Sequence, residues 1–225
     1  MTEQKPLRYA LIGVGANVYG MHYPGLKLDT AEIAAVCDID VDAAQRVSEE
    51  WECPWYADYR EMIDKEKPDV VVVMVPHTLH AEMSIYAMRA GAHVLCEKPM
   101  AIHVQEADEM IRVAEETGKV LAINFQQRLR PEVLAAHKLI QEGRLGQIQH
   151  VDIKITWTRT AKYYSMSTWR GTWDGEGGGL LMNQAPHDLD MLCYLAGMPS
   201  QVYAWTPTIA HSIETEVTGM GTHVP

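Results

Sequence analysis

Apolar residues in this chain come in short runs that stop at glycine or at an acid, and stretches of helical spacing lie between them. Leu7 to Gly13 is an apolar run of strand length closed by glycine, and Glu32 to Asp38 is a second, closed by a carboxylate. Asp40 to Trp51 places Ala43, Ala44 and Val47 on one helix face, with Asp40 positioned as its cap. Asp69 to Val75 is almost continuously β-branched, which predicts a strand covered on both faces, as in a parallel sheet. Leu79, Met83, Ala87 and Ala90 recur at helical spacing as far as Gly91. Ala92 to Cys96 then reads as a strand, Val104 to Thr117 as a helix stopped by Gly118, and Lys119 to Phe125 as a further strand. Strands alternating with helices through short connections predict βαβ units, an α/β doubly wound parallel sheet whose strand carboxyl ends carry the ligand.

Near Gln126 the rhythm changes, so a first domain is expected over 1–125 and a second over 126–225. Pro131 to Gly143 has a helical pattern. Gln147 to Thr158 alternates, with Ile148, Val151, Ile153, Ile155 and Trp157 against polar neighbours and one slip of register. A period of two predicts a strand of an antiparallel sheet with one solvated face. A loop rich in Tyr, Ser, Thr and Gly follows, then a helix from about Leu180 to Ala196 and a strand over Gln201 to Thr206. Gly219 to Pro225 reads as a tail. The second domain is thus expected to be a partial α+β unit with a mostly antiparallel open sheet of few strands and an exposed edge.

Composition narrows the function without naming it. Hydrophobic residues make up 47 % and charged residues 22 %, the balance of an ordinary soluble protein. The net charge of -11 argues against a nucleic-acid partner, which would want a basic face. No apolar run is long enough to span a bilayer, and the polar start Met1 to Lys5 does not look like a secretion signal. Cys37, Cys53, Cys96 and Cys193 are scattered, as expected of free thiols in a reducing cytoplasm.

Four segments carry candidate chemistry. Gly13-Val14-Gly15 ends the first strand, where a dinucleotide fold needs glycine for a tight turn and for approach to the pyrophosphate; Ala16 and Asn17 complete that loop. Position 18 is valine where the full spacing wants a third glycine, and Gly20 comes two later, so a plain strand-ending turn stays open as the alternative. Asp38, 25 residues after Gly13, can accept from ribose hydroxyls and would repel a 2′-phosphate, favouring NAD over NADP unless it merely caps a helix. Glu97-Lys98-Pro99 follows the strand ending at Cys96. There a lysine can stabilise a developing alkoxide, its direction fixed by the proline, with a cis bond as one form. Gly177 to Asp190 holds Asn183 and His187 four apart, hence on one helix face. His187 has a side chain suited to moving protons near neutral pH, against the plainer reading of a core histidine satisfied by Asp190. No metal is expected, since His77 and His80 have no carboxylate or cysteine beside them at ligand spacing.

In this order, the motifs resemble the Gfo/Idh/MocA oxidoreductases, the family of glucose–fructose oxidoreductase and inositol dehydrogenase. The resemblance runs from Leu11-Ile-Gly-Val-Gly15 to about Thr206. It passes through Val75-Pro76-His77-Thr78-Leu79-His80, Ala90 to Pro99, Gly143 to Ile148 and Gly177 to Asp190. It implies a Rossmann domain binding NAD, with NADP disfavoured, and hydride transfer to or from a hydroxyl or carbonyl carbon of a sugar, cyclitol or related cyclic alcohol. It implies Lys98 and His187 as catalytic residues, with Pro76, His77, His80, Glu97, Lys98 and Pro99 beside the nicotinamide. Asn183 stands where many members carry aspartate, and Tyr163, Trp169 and Arg170 are expected to line the substrate pocket. Self-association through the second-domain sheet is a further implication. Members have a longer second domain than 126–225 provides. The expectation is therefore a chain that binds NAD but turns over poorly, with a silent NAD-binding sensor as the alternative. An adenosyl-dependent methyltransferase fits the glycine loop but not Glu97-Lys98-Pro99.

Overall fold

The computed structural model describes residues 5–157 and 159–224. Met1 to Gln4 and Pro225, parts of the polar start and of the expected tail, and Thr158, the end of the expected alternating strand, lie outside the described residues. The chain divides into two compact units, Met1–Asn124 and Phe125–Pro225.

The first unit follows the alternation read from the sequence. It runs β1 (Leu7–Ile12), α1 (Tyr19–Leu26), β2 (Ala31–Cys37), α2 (Val41–Trp51), β3 (Trp55–Tyr56), α3 (Tyr59–Glu66), β4 (Val70–Val73), α4 (His80–Arg89), β5 (His93–Cys96), α5 (Val104–Thr117) and β6 (Leu121–Ile123). All six strands are parallel, in the order β3-β2-β1-β4-β5-β6. That order reverses direction between β1 and β4, the switch point at which such sheets bind ligands.

Strand periodicity sorts the core into two layers. Ala10, Ile12, Ala35, Cys37, Val71, Val73, Val94 and Cys96 pack on one face with Tyr59, Met62, Met88 and Val113 from α3, α4 and α5. Leu11, Ile33, Val36, Val72 and Met74 pack on the other with Leu26 and Val47 from α1 and α2. Adjacent strand residues therefore serve opposite faces, which is why β4 is valine throughout. Asp40 accepts from the Ala43 N–H as the cap of α2, and Gly118 ends α5 in the left-handed conformation. The two-residue β3 has no counterpart among the strands expected from sequence.

The second unit contains α6 (Pro131–Gln141), α7 (Ala161–Ser165), α8 (Trp173–Glu176), α9 (Pro186–Ala196), β7 (Gln201–Trp205) and β8 (Met220–Val224). Three expectations are corrected here. Residues 147–157 form no strand, so their alternation lacks the neighbouring strand whose hydrogen bonds would fix it. The segment read as a tail instead supplies β8, which pairs antiparallel with β7 from Gln201↔Val224 to Trp205↔Met220. The expected long helix is divided into a π-helical turn over Leu180–Gln184 and α9. Pro186, without an N–H, starts the second segment. Among the described residues no helix is long and apolar enough to cross a membrane.

Candidate functional site

At the sheet's carboxyl edge the strands end level. Gly13 donates to Cys37 O at 2.9 Å, Met74 to Ile12 O at 2.9 Å and Glu97 to Val73 O at 3.0 Å. The register thus brings the loops after β1, β2, β4 and β5 side by side, and with them every residue expected to meet a cofactor.

Gly13 has φ +89°, and a Cβ there would fall 2.4 Å from Met74 O, so only glycine lets the first loop turn so close to the neighbouring strand end. Gly15, Ala16 and Asn17 are exposed. Val18, where a third glycine would stand, is half-buried against the apolar layer under α1. Gly20 meets nothing within 4 Å of a built Cβ and does not replace it. The first turn of α1 has no side-chain cap; its Tyr19 N and Met21 N donate instead to Ala16 O at 3.1 Å and Val18 O at 2.9 Å.

Asp38 is half-buried beside this loop. With Asp40 serving as the helix cap, Asp38 uses its own oxygens elsewhere: Oδ2 accepts from Gly15 N at 2.7 Å and Oδ1 from Asp40 N at 2.9 Å. It therefore shapes the glycine loop as well as placing a negative charge beside it. This close backbone turn, an exposed loop leading into a helix and a neighbouring carboxylate fit the adenosine diphosphate half of NAD.

Pro76 opens a 3-10 turn over His77–Leu79, accepting from Leu79 N at 3.0 Å. His77 is buried at 6 % exposure. His80 is fully buried, its Nδ1 2.7 Å from Pro99 O and its Nε2 2.9 Å from Val75 O. Burial pushes the imidazole below its usual range, although both carbonyls favour a ring that carries protons. His80 thus ties the loop after β4 to the loop after β5 rather than presenting a ring to a ligand.

Glu97 is also turned inward. Its Oε1 accepts from His22 Nε2 at 2.7 Å and Asn124 Nδ2 at 2.6 Å, and its Oε2 from Lys98 N at 3.3 Å. Burial alone would raise its pKa, but the bonds from His22 and Asn124 outweigh that and hold the carboxyl below the usual range. The Lys98–Pro99 bond is cis. Pro99 is buried and Lys98 half-buried. His22 and Asn124 carry no sequence signal that marks them. They lie 75 and 27 residues from Glu97 and meet it only through the fold.

In the second unit the polar residues between Tyr163 and His187 converge. Gly179 lets the chain pass against the 214–217 segment, since a Cβ there would lie 2.0 Å from Glu216 O. Glu216 accepts from Gly179 N and Leu181 N, each at 3.0 Å. The turn so fixed carries Asn183, whose Nδ2 donates to Tyr163 Oη at 3.2 Å and, in a short bond, to Glu176. Arg170 donates to Tyr163 Oη and lies over the rings of Tyr163, 4.4 Å away, and Trp169, 4.7 Å away. Asn183, Tyr163, Trp169 and Arg170 are therefore gathered together, around a buried Glu176 that no sequence motif marked.

His187 follows at the start of α9, half-buried and edge-on to Phe125 at 5.9 Å. The division at Pro186 puts Asn183 and His187 in different helical segments, not on one continuous face. Asp190 forms a two-pronged pair with Arg128, so its carboxylate is engaged there. No group of three or more His, Cys, Asp or Glu gathers among the described residues as a metal would need.

Comparison with known proteins agrees with this geometry. Residues 7–125 match the oxidoreductase family with an NAD-binding Rossmann fold, and residues 133–223 match the Gfo/Idh/MocA C-terminal domain. The chain is 33 % identical to the D-glucoside 3-dehydrogenase of Escherichia coli over 87 % of its own length and 55 % of that protein's. It superposes on the WlbA dehydrogenase of Bordetella pertussis, solved with NADH and UDP-GlcNAcA, with TM-score 0.92 at 32 % identity, covering 97 % of this chain and 65 % of that one. For the myo-inositol 2-dehydrogenase of Lactobacillus plantarum the TM-score is 0.82 at 29 % identity, over 96 % and 66 %. The chain spans about half the length of the curated relatives it matches. None of these relatives supports a silent sensor. The chain belongs to the Gfo/Idh/MocA oxidoreductase family, with an NAD-binding Rossmann domain in its first unit.

Proposed function

We propose that this chain carries the cofactor cradle and the substrate-handling residues of an NAD-dependent dehydrogenase acting on a sugar, cyclitol or related cyclic alcohol. The observation that carries the reading is the Gly13–Gly15 loop at the switch point, with the Asp38 carboxylate 2.7 Å from the Gly15 N–H. NAD, when bound, supplies the acceptor for the hydride leaving the substrate carbon.

The chain's own residues deal with the oxygen and its proton. Lys98 stabilises negative charge on the substrate oxygen as the C–O bond gains double-bond character. His187 takes the hydroxyl proton in oxidation and returns it in reduction. Asn183, Tyr163, Trp169 and Arg170 orient the ring, whose stacked polar and apolar surfaces suit a sugar. The Asp38 charge excludes the extra phosphate of NADP.

Titration of the purified protein with NADH and NADPH, read by nicotinamide fluorescence, tests the cofactor half. Saturation by NADH with at least about tenfold weaker NADPH is expected, a difference of roughly 1.4 kcal/mol. Replacing Asp38 by serine should narrow that gap. Equal binding of both cofactors by the unaltered protein would overturn the role given to Asp38, and binding of neither by a folded chain would overturn the dehydrogenase reading.

A further inference from the structure

Of the half-buried arginines, Arg8 stands 3.7 Å from both Glu32 and Glu66, and Arg128 pairs with Asp190. Among the described residues Arg159 and Arg170 pair with no carboxylate, although the chain has a net charge of -11. Both lie against one ring instead. The guanidinium carbon of Arg159 is 4.7 Å from the centre of Tyr163, and that of Arg170 is 4.4 Å from it. Trp157 lies 5.3 Å from the first and Trp169 4.7 Å from the second. Aromatic faces attract cations, which accounts for how the two side chains are held. They do not cancel the charge, and two cations gathered on one ring repel each other. Arg170 directs one N–H to Tyr163 Oη. Arg159 Nε is buried without a partner, and no protein acceptor among the described residues meets its terminal nitrogens, which are not enclosed. The carboxylates bonded into these loops, Glu176, Glu214 and Glu216, accept from the N–H groups of Gly171, Trp173 and Gly179.

We propose that Arg159 and Arg170 form an anion subsite that binds a carboxylate or phosphate group carried by the substrate. A guanidinium is a planar fork of donors, it is more weakly hydrated than an ammonium, and its geometry matches either group. An anion set against the pair supplies the missing acceptors and relieves the repulsion between the two cations. Tyr163, whose ring carries both arginines, also accepts from the Asn183 amide at 3.2 Å, so the charged group is held beside residues proposed to orient the sugar. The subsite narrows the substrate class from cyclic alcohols in general to acidic ones, a uronic acid or a phosphorylated sugar. The proposal rests on the dehydrogenase reading for the identity of the ligand as a substrate, and on the arginine–tyrosine cluster for its charge.

Three sugars test it: methyl glucoside, which is neutral, methyl glucuronide, which carries a carboxylate, and glucose 1-phosphate. Binding of each is measured by calorimetry at low and high salt, and oxidation with NAD is followed by the appearance of NADH. At least one anionic sugar is expected to bind about tenfold more tightly than the glucoside, an advantage that shrinks as salt rises. Whichever anionic sugar gains more identifies the group as carboxylate or phosphate. Arg159→Gln should remove most of the advantage, with melting temperature and NADH affinity kept, and Arg159→Lys, which keeps the charge but not the fork, should restore part of it. Equal binding of charged and neutral sugars, binding of neither anionic sugar, or an anionic advantage that survives both Arg159→Gln and Arg170→Lys would each overturn the proposal. Salt-dependent binding of an anionic sugar that NAD does not oxidise would uphold the arginine pair and count against the dehydrogenase reading. Oxidation of the glucoside with no anionic preference would do the reverse.

Discussion

In the first unit Leu11, Met62, Met88, Met110 and Val71 to Val73 are among the side chains most fully withdrawn from water; in the second, Glu176, Thr215, Gln184 and Glu216 stand among the buried ones. The first unit is held mainly by apolar surface sorted onto the two faces of a sheet, with buried His80 and Glu97 tying its loops together. The other is held by carboxylates that collect backbone and amide N–H groups from distant loops. Apolar packing tolerates exchange of one hydrophobe for another of similar volume. A buried carboxylate does not tolerate loss of its partners, because the stranded donors keep their desolvation penalty. The second unit, which carries the residues proposed to meet substrate, is therefore specified largely by a few bonds, and the Rossmann unit largely by a large apolar volume.

The sharpest way to separate the two is catalytic. His187→Ala should lower turnover of a responsive sugar by about 10²–10⁴-fold with NADH affinity intact, the range expected on removing an acid–base group. Lys98→Ala should fall in the same range. Steady-state rates paired with NADH titration check this, and loss of NADH binding in His187→Ala would break the division of labour.

Next in size is stability. Leu11, wholly buried in the sheet, should cost about 2–5 kcal/mol as Leu11→Ala and lower NADH binding through loss of folded protein. Glu216→Ala strands the Gly179 and Leu181 N–H groups and should cost about 1–3 kcal/mol, with sugar KM rising and NADH affinity kept. Denaturant unfolding with both ligand titrations measures the pair. Equal effects on NADH binding would erase the contrast.

The smallest effect is one of pH. The Glu97 carboxyl is held below its usual range in the fold, so its stabilising contribution is complete above the unfolded value of about 4.3 and is lost as pH falls through the lower folded value. Glu97→Gln should flatten the acid side of the stability profile and leave the neutral side's slope unchanged. Denaturant midpoints recorded from neutral pH down to about 3 test that sign.

The difference between the units also explains what could be read in advance. The β-branched run of β4, the Asp40 cap and the Gly118 stop are local signals, each decided by its own few residues, and together they define the sheet and its carboxyl edge. Asp38 and the Gly13 turn were legible for the same reason. The inward turn of His80 and Glu97 was not, since their partners Val75, Pro99, His22 and Asn124 lie on other loops. In the second unit, Ile148 to Trp157 alternates like a strand yet pairs with none among the described residues, while Met220 to Val224, with glycine, threonine and histidine, pairs with β7. Strand formation depends on a partner edge, which no periodicity within one segment encodes. Glu176 escaped notice because its seven-residue distance from Asn183 spans a left-handed glycine and a π-turn, matching neither helix nor strand spacing.

The two bonds that Asp38 accepts have a bearing on how such a protein could be retooled. On the proposed reading one carboxylate both repels a 2′-phosphate and braces the glycine loop, so cofactor preference and loop shape would be inherited together. Replacing it with alanine would discard the brace along with the charge. Serine or asparagine would keep an acceptor for the Gly15 N–H while removing the charge, and a separate cation would still have to be recruited nearby. A change of cofactor in this lineage is thus a route of at least two steps, in which the order of the steps decides whether the intermediate can bind either nucleotide.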